Sequence, residues 1–173
     1  KTPPLAHRRL FDGGLEFGNL YDYGQSWASI GDENISNFHL SFWARFSKVN
    51  AEKPDDWSYI GIAFRSQHFL ANYTHLLYLK HDGHIVLIEA PDNPIEGPPH
   101  NYLRKATPID HAAYHYFDVF FNESILRVQV DDVSHTVEVA RMGKVLGSGL
   151  IRFQASCCWM VIKQVKVTDE TVE

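Results

Sequence analysis

A chain of 173 residues can bury one sizeable core, and all-β sandwiches of this size commonly stay undivided, so a single domain over residues 1–173 is expected. Hydrophobic residues make up 45% and charged residues 21%, ordinary globular proportions that exclude a disordered chain or a coiled coil. Lys and Arg number 16 against 21 Asp and Glu, a net charge of −5 with no basic cluster, which argues against nucleic acid as a partner.

Residues 1–10 ("KTPPLAHRRL") are linker-like and lack the apolar core of a signal peptide, and no apolar run is long enough to enter a membrane. Because the first residue is Lys1, not Met, the chain is expected to be one module of a longer protein. The Gly- and Tyr-rich stretch that follows ("FDGGLEFGNLYDYGQSWASIGDEN") predicts loop with one or two short strands. Phe38, Leu40, Phe42, Ala44 and Phe46 then alternate with His39, Ser41, Trp43, Arg45 and Ser47, a period of two that turns the first set to the core. After a charged loop from Lys48 to Asp56, Ser58, Ile60, Ile62 and Phe64 take one face of a strand that is largely apolar on both faces, hence central in its sheet.

Strands at His75–His81 and His84–Glu89 flank Asp82-Gly83, a hairpin signal. Pro91–Pro99 ("PDNPIEGPP") predicts a long loop. From Tyr114 onward the sequence is a run of alternating strands. Leu126, Val128 and Val130 face the core between the turn-prone Asn122-Glu123 and Asp131-Asp132, followed by strands at His135–Val139, Leu150–Ala155 and Trp159–Val167. The two cysteines, Cys157 and Cys158, are adjacent, which excludes an ordinary disulfide framework and makes buried thiols the expectation, with a vicinal disulfide as the alternative. The fold class predicted is all-β, a two-sheet antiparallel sandwich.

The segment "YFDVFFNESILRVQVDD", the later "GSGLIRFQAS", and the upstream pair "WSYIGIAFRSQ" and "LLYLKHDGHIVLIEA" resemble concanavalin-A-like sandwich (jelly-roll) domains over about Asn37–Val167. The chain is most similar to family 66 carbohydrate-binding modules and to domains related to keto-disaccharide hydrolases, with laminin-G domains further off. The resemblance implies a glycan or polysaccharide as ligand and an extracellular or secreted setting.

The residues themselves contain no Gly-rich phosphate loop, no Gly-x-Ser-x-Gly elbow, no His-Glu-x-x-His and no strand bearing paired carboxylates of the Glu-x-Asp-x-x-Glu kind. A non-catalytic recognition module is therefore expected ahead of a glycoside-active enzyme. Sugar binding asks for an aromatic ring to stack on a C–H face, with Arg, Asp, Glu or Asn to hold hydroxyls. Trp43, Trp57, Arg65, Tyr78, Glu89, Asp131 and Asp132 are the candidates, with Arg65 paired to Asp131. His81 and His84 around the turn, with His75 on the face of His81, have no carboxylate or thiol partner, so no metal is predicted; Asp55-Asp56, Asp92-Asn93 and Asp131-Asp132 form no calcium loop, and no cofactor is predicted. Asn34, Asn72 and Asn122 begin glycosylation sequons at turn-prone positions, in keeping with an extracellular glycoprotein. The rival function is a protein-interaction domain of laminin-G type on an extracellular or viral surface, using loops at Glu52–Trp57 and Asp92–Tyr102.

Overall fold

The computed structural model describes residues 7–20, 25–30, 35, 37–50, 58–66, 74–90, 100–138 and 150–169. They form thirteen strands: β1 His7–Phe11, β2 Gly14–Asn19, β3 Gln25–Ile30, β4 Phe38–Val49, β5 Tyr59–Ser66, β6 Thr74–Lys80, β7 His84–Ala90, β8 His100–Ala106, β9 His115–Asn122, β10 Ile125–Val130, β11 Val133–Glu138, β12 Leu150–Ser156 and β13 Cys158–Asp169. Two antiparallel sheets result. One has seven strands in the order β1-β2-β13-β4-β9-β10-β11 and the other six in the order β3-β12-β5-β6-β7-β8.

The alternation legible in the sequence decides what lies between the sheets. Phe38, Leu40, Phe42, Ala44 and Phe46 of β4 are buried, and so are Ser58 and Ile60, Ile62 and Phe64 of β5. Phe42 stacks on Phe117 of its own sheet with ring centroids 4.8 Å apart, and meets Phe153 of the opposite sheet edge-on at 4.9 Å. Phe38 and Phe64 join the layers at the other end, 5.7 Å apart. β5 lies between β12 and β6, inside its sheet as its two apolar faces imply.

Three features depart from the sequence-based expectation. The N-terminal region holds three strands, and residues 7–10, expected as linker, belong to β1. β1 turns into β2 through Asp12 (φ 53°) and Gly13 (φ 74°), a two-residue turn with both φ angles positive, whose twist suits a tight hairpin. At Asp82-Gly83, by contrast, β6 ends at Lys80 and β7 begins at His84, so the turn holds three residues; Gly83, at φ 89°, donates its N–H to the Lys80 carbonyl at 3.0 Å. β8 is also a strand that the sequence reading did not include. The predicted loop at Pro91–Pro99 lies outside the described residues.

Between β12 and β13 the chain crosses from one sheet to the other through a single residue, Cys157, at φ 50°. Its carbonyl accepts from the Asn50 N–H (2.9 Å) and the Ser58 hydroxyl (3.3 Å), which satisfies the backbone at the corner. Cys157 and Cys158 are both buried free thiols, not a vicinal disulfide.

Candidate functional site

The outer face of the six-stranded sheet gathers a mixed aromatic and polar cluster. In β3, Trp27 alternates with Ser26 and Ala28 and leaves half of its surface exposed (50%), the largest exposure of any aromatic among the described residues. In β12, Ile151, Phe153 and Ala155 enter the core, which places Arg152 and Gln154 on the opposite face. Gln154 pairs with Trp27 across the ladder and Arg152 lies one step diagonally, with its guanidinium carbon 5.6 Å from the indole centroid. That separation is within reach of a cation–π attraction. On its other side Trp27 is approached by Arg8 of β1, which donates to the Trp27 carbonyl at 3.3 Å.

The cluster continues across the sheet. The Gln154 amide donates to the Tyr59 hydroxyl at 2.8 Å, and the Tyr59 ring lies 4.6 Å from that of Tyr78. Burial pushes the Tyr59 hydroxyl far above the ordinary phenol range, so it stays protonated. Burial also raises Tyr78, while the Arg104 cation, one strand beyond Val86, pulls the other way. Gly61 pairs with Tyr78 and leaves room for these rings. The arrangement offers an apolar ring surface beside hydrogen-bond donors and cations, the combination that fits a polyhydroxylated ligand.

Among the described residues, those expected to form a site lie apart from one another. Tyr78 belongs to the cluster just described. Trp43 lies on the seven-stranded sheet, its ring 5.2 Å from that of Tyr116. Glu89 is buried and accepts from the Tyr102 hydroxyl at 3.1 Å. Asp131 starts the β10–β11 turn, where one oxygen holds His115 Nδ1 at 2.7 Å and the other accepts the Tyr116 N–H at 2.8 Å; Asp132 beside it is exposed. Arg65 follows Phe64, at the end of the sandwich where Phe64 meets Phe38 and Phe38 pairs with Phe121. His115, which Asp131 holds, pairs with Ala44, six residues further along β4 and about 20 Å away at strand rise. Asp131 therefore stands at the opposite end from Arg65, and the expected pair is corrected. The Arg65 side chain, Trp57, Asn34 and Asn72 lie outside the described residues, while Asn122 ends β9.

The histidines also separate. His75 is buried, stacked on Phe64 at 5.2 Å, whereas His81 stacks on His111 at 3.8 Å and His84 bonds Asp82 at 2.9 Å. What the sequence reading missed, Trp27, Arg152 and Gln154, did carry a signal: in "LIRFQAS" the polar Arg and Gln alternate with core residues, as does Trp27 in "SWASI".

The seven-stranded sheet has an open concavity of about 390 Å³ on its outer face, lined by His39, Tyr116, Asp118, Phe120, Arg127 and Gln129 among others. Its polar groups largely answer one another. Asp118 is bonded to His39 (2.9 Å) and accepts from the Tyr116 hydroxyl (3.1 Å), and Arg127 covers the Phe120 ring at 4.3 Å.

No family model and no curated protein matches the sequence. Solved structures do. The carbohydrate-binding module of family 66 from Bacillus subtilis superposes with a TM-score of 0.67 over 94% of this chain and 91% of its own, at 14% identity. The fold is the concanavalin-like jelly roll. The exoplasmic/lumenal domain of VIP36 in its Ca2+-bound form gives 0.66 at 6% identity, covering 98% of this chain and 83% of its own. The alginate lyase A1-II′ gives 0.64 at 10% identity, covering 92% and 81%. At such identities the likeness establishes the fold, and the function has to be argued from the side chains.

Proposed function

We propose that this domain is a non-catalytic, lectin-like module that holds a glycan on the outer face of its six-stranded sheet. The observation that carries the reading is Trp27, half exposed and flanked by Arg152 and the Gln154–Tyr59 hydrogen bond. A sugar ring stacked on the indole would find donors within one strand spacing on either side. The carbohydrate-binding module among the structurally similar proteins supports the reading. Among the described residues this face presents no pair of carboxylates of the kind that glycosidic hydrolysis uses. Arg65, the last but one residue of β5, is proposed as a further cation of the same ligand site, and an extracellular setting with glycosylation at Asn122 accords with a module that meets glycans outside the cell.

A glycan array followed by calorimetric titration of the best ligands tests the proposal. Binding that Trp27→Ala abolishes, with an unchanged melting temperature, is the expected result. Binding untouched by Trp27→Ala, or none to any glycan, overturns it.

A further inference from the structure

The outer face of the seven-stranded sheet ends at a glycosylation sequon, Asn122-Glu123-Ser124. Along β9, Phe117, Val119 and Phe121 are buried, which turns Asp118, Phe120 and Asn122 outward together. Asn122 is the last residue of the strand and pairs with Ile125 across the two-residue turn Glu123-Ser124. Glu123, at φ 53°, donates its N–H to the Asn37 side chain at 2.7 Å, which ties the turn to the start of β4. Among the described residues the side chains of Asn122 and Ser124 make no hydrogen bond, so both sequon groups are available.

The surroundings of Asn122 suit a sugar ring. Ile125, directly opposite on the same face, leaves 40% of its surface in solvent. One rung inward, about 7 Å along the strand, Phe120 lies between His39 of β4 and Arg127 of β10, and the Arg127 guanidinium carbon stands 4.3 Å from the ring centroid. Arg127 is exposed and makes no ion pair among the described residues. Past Phe120 the open concavity continues to Asp118, Gln129 and Ser134. A pyranose bonded to Asn122 therefore meets two apolar side chains, Ile125 and Phe120, for its C–H face, and a guanidinium for its N-acetyl carbonyl and hydroxyls.

We propose, resting on the glycosylation of Asn122 proposed above, that the concavity is the seat of the protein's own glycan. The first N-acetylglucosamine of an N-linked chain lies over Phe120 and Ile125 with Arg127 donating to it, and the sugars that follow run toward Asp118 and Gln129. In the covalent step the Asn122 amide nitrogen takes the anomeric carbon of an oligosaccharide carried on a lipid diphosphate. The C–N bond forms, the C–O bond to the diphosphate breaks, the amide gives up one proton and the lipid diphosphate leaves. The link makes every later contact intramolecular, so contacts too weak to hold a free sugar hold this one. A glycan seated there covers one sheet and leaves Trp27, on the other sheet, open to an external ligand.

The test uses the chain made in a secretory eukaryotic host, with Asn34→Gln and Asn72→Gln in every sample so that Asn122 alone is read. Mass spectrometry of the peptides gives the occupancy of Asn122. Thermal melting then compares the glycosylated protein, the same protein trimmed by an endoglycosidase to a single N-acetylglucosamine, and Asn122→Gln. The expected result is an occupied site whose glycan raises the melting temperature by about 2–4 °C, an increment that the single sugar retains. The increment is expected to vanish in Phe120→Ala and to shrink in Arg127→Gln, an exposed substitution that leaves the core untouched, while Trp27→Ala on the other sheet leaves it whole. Each variant is compared with its own Asn122→Gln partner, so stability lost to the substitution itself cancels. An unoccupied Asn122 overturns the inference together with the glycosylation on which it rests. An occupied site with no increment, or with one that survives both Phe120→Ala and Arg127→Gln, overturns the seat alone. The lectin-like reading is measured separately, as ligand binding at Trp27 in the Asn122→Gln protein, and stands or falls on that titration.

Discussion

Gly61 and Tyr78 face each other across β5 and β6 so closely that a Cβ built on Gly61 would sit 2.6 Å from the Tyr78 Cα and 2.1 Å from the Leu77 carbonyl oxygen. Both obstacles are backbone, so the strands themselves would have to part. Gly61→Ala is expected to cost about 1–3 kcal/mol of stability, measured by urea unfolding. It should also displace Tyr78 from Tyr59 and weaken ligand binding beyond the stability change. A variant with parental stability would mean that the two strands yield at no cost.

Phe42 touches Phe117 in its own sheet and Phe153 in the other, and is fully buried. Phe42→Ala should lower the unfolding free energy by about 3–5 kcal/mol, because two sheets cannot close over the cavity. Its chain neighbour Trp43 points to the opposite face, so Trp43→Ala should cost clearly less. Chemical denaturation of the two side by side checks the difference, and equal losses would contradict the facing.

Trp27→Ala removes half-exposed surface at the end of a sheet and should change stability by less than about 1 kcal/mol. The same substitution should cost the proposed ligand about tenfold or more in affinity. Thermal melting and titration, run on one preparation, separate the two effects.

Asp82 couples stability to pH. Burial opposes its ionisation, but the His84 N–H, the His84 ring and the Lys80 ammonium outweigh it and bring the carboxyl from 3.8 down to about 2. A depressed carboxyl stabilises the fold fully above its unfolded value and loses that contribution as pH falls through the folded value. With the side chain partly in solvent, the contribution is on the order of 1 kcal/mol. Asp82→Asn should thus be less stable than the parent at pH 7, with the gap closing between about pH 4 and pH 2. A gap that persists at pH 2 would assign the loss to the turn's hydrogen bonds instead of charge.

Cys157 and Cys158 are buried, and burial raises the Cys158 thiol well above the ordinary range. Because the thiolate is the reacting species, a disulfide reagent such as DTNB should label neither cysteine in the native domain at pH 8 and both after denaturation. Rapid native labelling would mean that the β12–β13 corner opens readily.

Period-two alternation made β4 and β10 legible, because a half-buried strand must put every second residue in the core, while β5 showed as a strand apolar on both faces. Turn chemistry was less decisive. Asp12-Gly13 and Asp82-Gly83 are the same dipeptide, yet one closes a two-residue hairpin and the other a three-residue turn, since the cross-strand register around it sets the loop length.

The sequence by itself determined that the chain is all-β, where most strands run, and which side chains fill the space between two sheets, because alternation and turns are local properties. Only the tertiary structure decided which outward residues meet. Arg65 and Asp131 end up at opposite ends of the sandwich, and Trp27, Arg152, Gln154 and Tyr59 converge from positions as far as 127 residues apart, judged by the Trp27↔Gln154 pairing. Strand order is the reason: β12 inserts between β3 and β5, a long-range pairing that the period of a strand does not encode.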